Sequence, residues 1–366
     1  MISPSASGRR RVRRPCATFA AFLFATAPLL SQAAPKWAPA VVAAIEAGMR
    51  EMQIPGLSCT IGVDGRLVFQ CGFGLADVEN EVPATAATVY RLGSISKPIT
   101  AVLAMQLVEK GQLDLDRDVH TIVAEWPEKG WPVTTRQLLS HTAGVRHYRG
   151  EAESTVHYAT QLAGLVRFAN DPLLHEPGTQ YLYSTYGYNL VAAVVETTTK
   201  QSFADLVRER IAVPCAAPTL QDDDLRRIVK HRAQGYVREN GVLQNSELLD
   251  SSYKLGGGGL CSSSDDLVRF AATLMAGKLV SNETLAGMWT PQRTKDGAVI
   301  DYALGFRIAE RRGIREVYHG GAQARVSTFL LLLPERRIAI AVMCNLEHVK
   351  LQALARQIAD RVLDAK

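Results

Sequence analysis

Residues 37–53, KWAPAVVAAIEAGMREM, carry apolar side chains at helical spacing and predict an amphipathic helix. The period then changes. GLSCTIGVDGRLVFQCGFGLAD (56–77) holds two β-rich runs around Asp64-Gly65, the dipeptide of a tight hairpin. RLGSISKPITAVLAMQLVEKGQL (91–113) returns to a helical apolar run, starting near Ser94 and stopping at Gly111 after Glu109-Lys110. From about 112 to 245 the pattern is mostly helical, with polar connections such as EWPEKGWPVTT and QDDDLRR. The charged residues at 222–232 read as a solvated helical face. Four strand-like runs follow, YALGFRIAE, IREVYHGG, RVSTFLLLLP and RIAIAVMCNL, and the amphipathic LQALARQIADRVLD closes the chain.

Strands at both ends with a helical block between them predict an α+β fold. In it, an antiparallel sheet flanked by helices (about 37–111 and 246–366) carries a mostly helical second lobe (about 112–245). A cleft between lobes is the expected place for a site.

The first 33 residues do not belong to that pattern. SGRRRVRRP is basic, ATFAAFLFATAPLL (17–30) is a short apolar run, and SQAA offers small residues for cleavage near Ala33 or Ala34. The run is short for a span and contains Pro28, so residues 1–33 read as a signal peptide and 34–366 as the exported chain, periplasmic or secreted. The paired arginines fit a twin-arginine route poorly. The whole chain has a net charge of +5, and the leader holds five Arg and no acid, so the remainder is neutral. A neutral chain gives no electrostatic case for nucleic acid or an anionic membrane as partner. No later run is long enough to span a bilayer, which leaves a small-molecule or peptide substrate as the expected partner and the oligomeric state open.

Five of the six Cys lie beyond the leader, at 59, 71, 215, 261 and 344. Cys59 and Cys71 flank the predicted hairpin turn, where a bridge is feasible, but the number is odd and no CxxC occurs, so none is assigned. The eight His show no zinc spacing, and neither a metal nor another cofactor is expected.

Candidate chemistry centres on Ser94 and Lys97, at i and i+3 at the head of the apolar helical run. The hydroxyl lies near the positive end of the helix, and apolar surroundings would lower the lysine pKa until it is a base. The pattern alone is weak, because SSYK (251–254) also matches; that copy runs into LGGGG, where no helix is expected to hold its serine and lysine on one face. Two further stretches strengthen the reading. GTQYLYSTYGYNLVAAVVE (178–196) presents Tyr183 before a helical run, a phenol suited to relaying a proton. YHGGAQARVSTFLLLL (318–333) is read as a strand, a bend at His319-Gly320-Gly321 and a second strand, the glycines allowing substrate to lie against backbone N–H groups.

These three elements, in this order, resemble the serine β-lactamase and penicillin-binding protein superfamily, in its class C-like branch. LGSISKPIT, VTTRQLLSHTAGVRHY, NDPLLHEPGTQYLYSTYGYNLVAAVVE, SSYKLGGGGL, MWTPQ and HGGAQARVSTFLLLLPE extend the resemblance over roughly 40–363, most of all to the mitochondrial serine β-lactamase-like branch. The resemblance implies that Ser94 is the acylated nucleophile and that Lys97 and Tyr183 share acid and base work. It further implies that His319-Gly320-Gly321 replaces the family's Lys/His-Thr-Gly strand and that the N–H groups of Ser94 and Ala322 form the oxyanion hole. His141, in LLSHTAG, is read as a hydrogen-bonded core residue.

Two positions depart from the family pattern. Thr185 stands where β-lactamases of this branch usually carry Asn, which weakens the case for efficient penicillin hydrolysis. His319 stands where a Lys would bind substrate carboxylate, with Arg325 as a partial replacement. The expected function is an exported serine hydrolase of amides or esters, peptidase-type favoured over esterase or weak β-lactamase. The alternative of another class is a non-catalytic protein that senses β-lactams or self-assembles.

Overall fold

The computed structural model describes residues 35–150 and 155–364. The signal-peptide expectation falls on residues outside that range.

Asp64 and Gly65 both take positive φ, 51° and 77°, and turn Gly56–Val63 back onto Arg66–Asp77 as the sequence pattern anticipates. Gly56–Val63 pairs on its other side with Ile338–Cys344, so the two ends of the chain meet at the middle of one sheet. The complete order is Val82–Pro83, Arg66–Asp77, Gly56–Val63, Ile338–Cys344, Val326–Leu333, Ile314–Gln323 and Arg307–Arg311, antiparallel throughout. The central strands are buried on both faces. Ile338, Ile340 and Val342 face a core built with the helices Ala38–Met52 and Gln352–Leu363, through Val41, Ile45, Leu354 and Ile358. Ala339, Ala341 and Met343 face the opposite core, which contains Leu267, Val268 and Ala271 of the helix Ser264–Met275. The period of two is intact, but both faces need apolar side chains, so IAIAVMC reads as one continuous apolar run.

The helix Ser96–Glu109 runs through the second core with apolar burial almost all round, and Gly111 at φ 64° lies just beyond its end. Pro98 occupies its first turn, where a missing N–H costs nothing. The middle of the chain holds one long helix, Thr185–Thr199, among short ones such as Thr135–Leu139 and Gln161–Gly164. Towards its end comes a two-stranded hairpin, Tyr236–Glu239 with Val242–Asn245.

The charged run at 222–232 is not helical. Gln221–Asp222 is a short strand beside Leu260–Ser263, and the residues after it form turns. Asp223 is buried in ion pairs with Arg91 (2.7 Å) and Arg232 (3.0 Å). Consecutive aspartates bond their own backbone more readily than they continue a helix, and Asp224 does so by accepting from the Arg226 N–H.

Cys59 and Cys71 are direct cross-strand neighbours, and both are free thiols, as are Cys215, Cys261 and Cys344. No described helix is long and apolar enough to cross a membrane.

Candidate active site

Ser94 lies in a turn of 3-10 helix, Gly93–Ile95, that leads directly into Ser96–Glu109. The sequence pattern places it in the α-helix itself; the tighter turn arises because Gly93 takes φ 53° to bring the chain against a strand. A Cβ on Gly93 would sit 2.9 Å from the Ala322 nitrogen, and one on Gly321 would sit 2.0 Å from the Leu92 carbonyl oxygen. Thr328 Oγ1 donates to that same carbonyl at 2.8 Å. The two glycines therefore let the serine turn and the strand Ile314–Gln323 touch, backbone to backbone. His319-Gly320-Gly321 does not bend. It lies within the strand, paired with Thr328–Leu330, and the chain reverses later, near Arg325 at φ 80°.

Around Ser94 Oγ the predicted groups converge. Tyr183 Oη donates to it at 2.8 Å, and Lys97 Nζ lies 3.0 Å away. Lys97 is fully buried, 3.2 Å from Thr185 Oγ1, and donates to the Gly257 carbonyl at 2.7 Å. Burial, and secondarily the charge of Lys254, hold its amine well below the ordinary lysine range. Burial raises the Tyr183 phenol above its ordinary value, so it keeps its proton. Thr185 opens the helix Thr185–Thr199, capped by the Ser184 side chain on the Gly187 N–H, and its own N–H donates to His147 Nδ1 at 3.1 Å.

Two predicted binding residues take other positions. His319 is buried behind the site rather than lining it: Nδ1–H donates to the Gly320 carbonyl at 2.7 Å, and Nε2 accepts from Tyr302 Oη at 2.9 Å. Its pKa is lowered to about 3, first by burial and then by Lys97, so it stays neutral and cannot act as the cation for a carboxylate. Arg325 turns its guanidinium onto the Ser246 carbonyl (3.1 Å) and Gln234 Oε1 (2.7 Å), and lines a small separate cavity with Arg91 and Asp223. It does not reach Ser94. His141 is a core residue: Nδ1 accepts from the Ser184 N–H, and its ring centroid is 4.3 Å from that of Tyr183.

Sequence reasoning missed the glycine run. Residues 252–254 form a 3-10 turn and Leu255–Gly258 a short helix, so LGGGG continues a helix instead of preventing one. A Cβ on Gly257 would lie 2.5 Å from Thr185 Cγ2, and one on Gly256 would lie 2.6 Å from Ala192 Cβ. Only glycine lets this helix come close enough for its carbonyls to reach Lys97 and Thr100. Four consecutive glycines were the available signal. In the second SxxK, the Ser251 hydroxyl is buried without a hydrogen-bond partner among the described residues, while Lys254 lines the cleft beside Ser94. That cleft, about 440 Å³, is lined by Ser94, Tyr183, Thr185, Gly320, Gly321 and Ala322 together with His147, Lys254 and Gln323. No grouping of His, Cys, Asp and Glu among the described residues is arranged to hold a metal ion.

Comparison with known proteins gives this geometry a family. The human protein "Serine beta-lactamase-like protein LACTB, mitochondrial" is 29% identical, over 84% of this chain and 76% of its own. Penicillin-binding protein 4* of Bacillus subtilis (strain 168) is also 29% identical, over 78% of this chain and 66% of its own. An octameric penicillin-binding protein homologue from Pyrococcus abyssi superposes with a TM-score of 0.77 at 26% identity, covering 89% of this chain and 77% of the other. The Beta-lactamase family model matches residues 41–363, nearly everything after the leader-like segment: the chain belongs to the beta-lactamase family.

Proposed function

We propose that the chain is a serine hydrolase that forms an acyl-enzyme at Ser94 on an amide or ester, with peptidase-type substrates first. The single observation that carries this reading is a serine hydroxyl held between a buried amine and a protonated phenol. A neutral amine has two N–H donors and one lone pair. Gly257 O and Thr185 Oγ1 account for the donors, leaving the lone pair for the Ser94 proton. Lys97 is then the base that activates the serine, and Tyr183 is the acid that returns a proton to the leaving group. The N–H groups of Ser94 and Ala322, brought together by Gly93 and Gly321, are suited to hold the oxyanion. Thr185 contacts the base but has no side-chain amide to hold a substrate amide, which favours weak over efficient β-lactam turnover.

Residues 1–33 are proposed to be removed on export, leaving 34–366 as one hydrolase domain; the basic and apolar sequence of the leader supports this. N-terminal sequencing of the protein recovered outside the cytoplasm tests it.

The hydrolase reading is tested by mass spectrometry after incubation with a fluorophosphonate or penicillin. One adduct on Ser94, absent in Ser94→Ala, is expected; an adduct on Ser251 overturns the choice of serine. A panel of p-nitrophenyl esters, D-Ala-D-Ala peptides, L-peptides and nitrocefin then ranks the substrate classes.

A further inference from the structure

Among the described residues, the cleft beside Ser94 is lined by two lysines and no carboxylate. Lys350 is on the exposed rim, whereas Lys254 is 5% exposed. Lys254 Nζ lies 5.6 Å from the ring centroids of both Tyr148 and Tyr253, and it has no hydrogen-bond or ion-pair acceptor among the described residues. Its charged neighbours are Arg91, Arg167 and Asp223, with Lys97 also close enough to be affected by it. The one carboxylate in that set, Asp223, already pairs with Arg91 and Arg232. A second polar group in the same cleft is also without a partner among the described residues: both amide atoms of Gln323 are buried and make no hydrogen bond to them. Leaving such groups unpaired is costly, and the arrangement makes sense when something else pairs with them. Neither His319, which is neutral, nor Arg325, which is turned away, can serve an anion here.

We propose that Lys254 and Gln323 form a subsite for a carboxylate on the substrate, so that the preferred acyl or leaving group carries a free acid. Lys254 supplies the countercharge, and the Gln323 amide donates a hydrogen bond to a carboxylate oxygen or an adjoining carbonyl. The aromatic walls of Tyr148 and Tyr253 steady the ammonium and limit competition from water. Burial and the two arginines lower the Lys254 pKa to about 7, so an incoming carboxylate also favours its protonated form. This proposal rests on Ser94 being the acylated nucleophile.

The test compares two p-nitrophenyl esters that share the same butyryl stem, butyrate and its terminally carboxylated counterpart hydrogen glutarate, on wild type, Lys254→Met and Lys254→Arg. Wild type is expected to favour the glutarate ester. Lys254→Met should lower the glutarate-to-butyrate ratio of kcat/KM by about 10-fold or more, mainly through KM, as for loss of a charge-assisted hydrogen bond. Lys254→Arg should restore part of the ratio. An unchanged ratio in Lys254→Met overturns the subsite, including the case where both esters slow equally. If wild type turns over neither ester and takes no fluorophosphonate on Ser94, the hydrolase reading fails instead. Calorimetric titration with glutarate then reads the subsite directly: binding weakened in Lys254→Met supports it, and equal binding overturns it.

Discussion

Gly257 holds Lys97. Its carbonyl accepts from the buried amine at 2.7 Å, and it reaches that position because nothing larger than hydrogen fits between its helix and Thr185. The base is thus placed by a glycine from a different part of the chain, not only by its own helix.

Gly257→Ala is therefore expected to be far more damaging than an alanine normally is. The new Cβ would lie 2.5 Å from Thr185 Cγ2, 2.6 Å from Asn189 Oδ1 and 2.8 Å from the Thr185 carbonyl oxygen, so the short helix must move away from Lys97. Acylation by a fluorophosphonate should fall at least about 10-fold, with destabilisation of ~1–3 kcal/mol for overpacking. Gly287→Ala is the control. That glycine is exposed in the helix Asn282–Met288 with nothing near its Cβ position, so the change should stabilise by about 0.5–1 kcal/mol. Equal labelling rates for the two variants would show that the Gly257 contact does not position the base.

The pH dependence of acylation follows from the amine's surroundings. Lys97 faces Ser94, Thr185, the Gly257 carbonyl and the rings of Tyr183 and Tyr188, with Lys254 as the nearby cation that lowers its pKa further after burial. No carboxylate is among these contacts. The neutral form is the active base, so the acylation rate for a neutral ester should rise with pH and reach its plateau below the ordinary lysine range. Tyr183, raised above its ordinary value, should keep its proton across that plateau. A stopped-flow profile from pH 5 to 10 measures this; a rate that falls over that range would remove the amine as base.

Much of this was legible in the sequence because it depends on short-range pattern. Asp64-Gly65 dictates its own turn, the continuous apolar run IAIAVMC marks a strand buried on both faces, and Ser94 and Lys97 lie one turn apart at the head of one helical run. What was not legible depends on residues brought together from far apart. His319 is neutral because Tyr302 and the core enclose it, and Arg325 is turned away by contacts with Gln234 and Ser246. Neither contact has a local sequence signature. LGGGG was visible, but its use as a close-approach surface shows only once Thr185 and Ala192 are opposite it.

Tyr183→Phe keeps the ring and its packing on His141 while deleting the hydroxyl that donates to Ser94. Loss of an acid-base group should slow turnover by about 100-fold or more. Because burial favours the neutral phenol, the lost role is proton donation. The effect should therefore be larger for amides or alkyl esters, whose leaving groups need a proton, than for p-nitrophenyl esters, whose leaving group does not. Equal losses on both classes would assign Tyr183 to positioning Ser94 rather than to proton transfer.

Lys97→Met separates the catalytic use of the amine from its effect on the fold. In the folded protein the amine's pKa is depressed, while in the unfolded chain it returns to its ordinary value. Between those two values the unfolded state binds a proton that the folded state does not, so wild-type stability falls as the pH is lowered from the ordinary lysine range towards the folded pKa. Methionine has similar length and no proton to bind, so the variant lacks this dependence. It gives up the bond to Gly257 at every pH, a constant cost, while the wild type's own penalty grows as the pH falls. The difference in melting temperature, variant minus wild type, followed downwards from pH 9, should therefore increase as the pH falls towards the folded pKa, and acylation of Ser94 should be lost throughout. Parallel melting curves across that range would mean the amine is charged in the folded protein, and an ammonium beside Ser94 cannot take its proton.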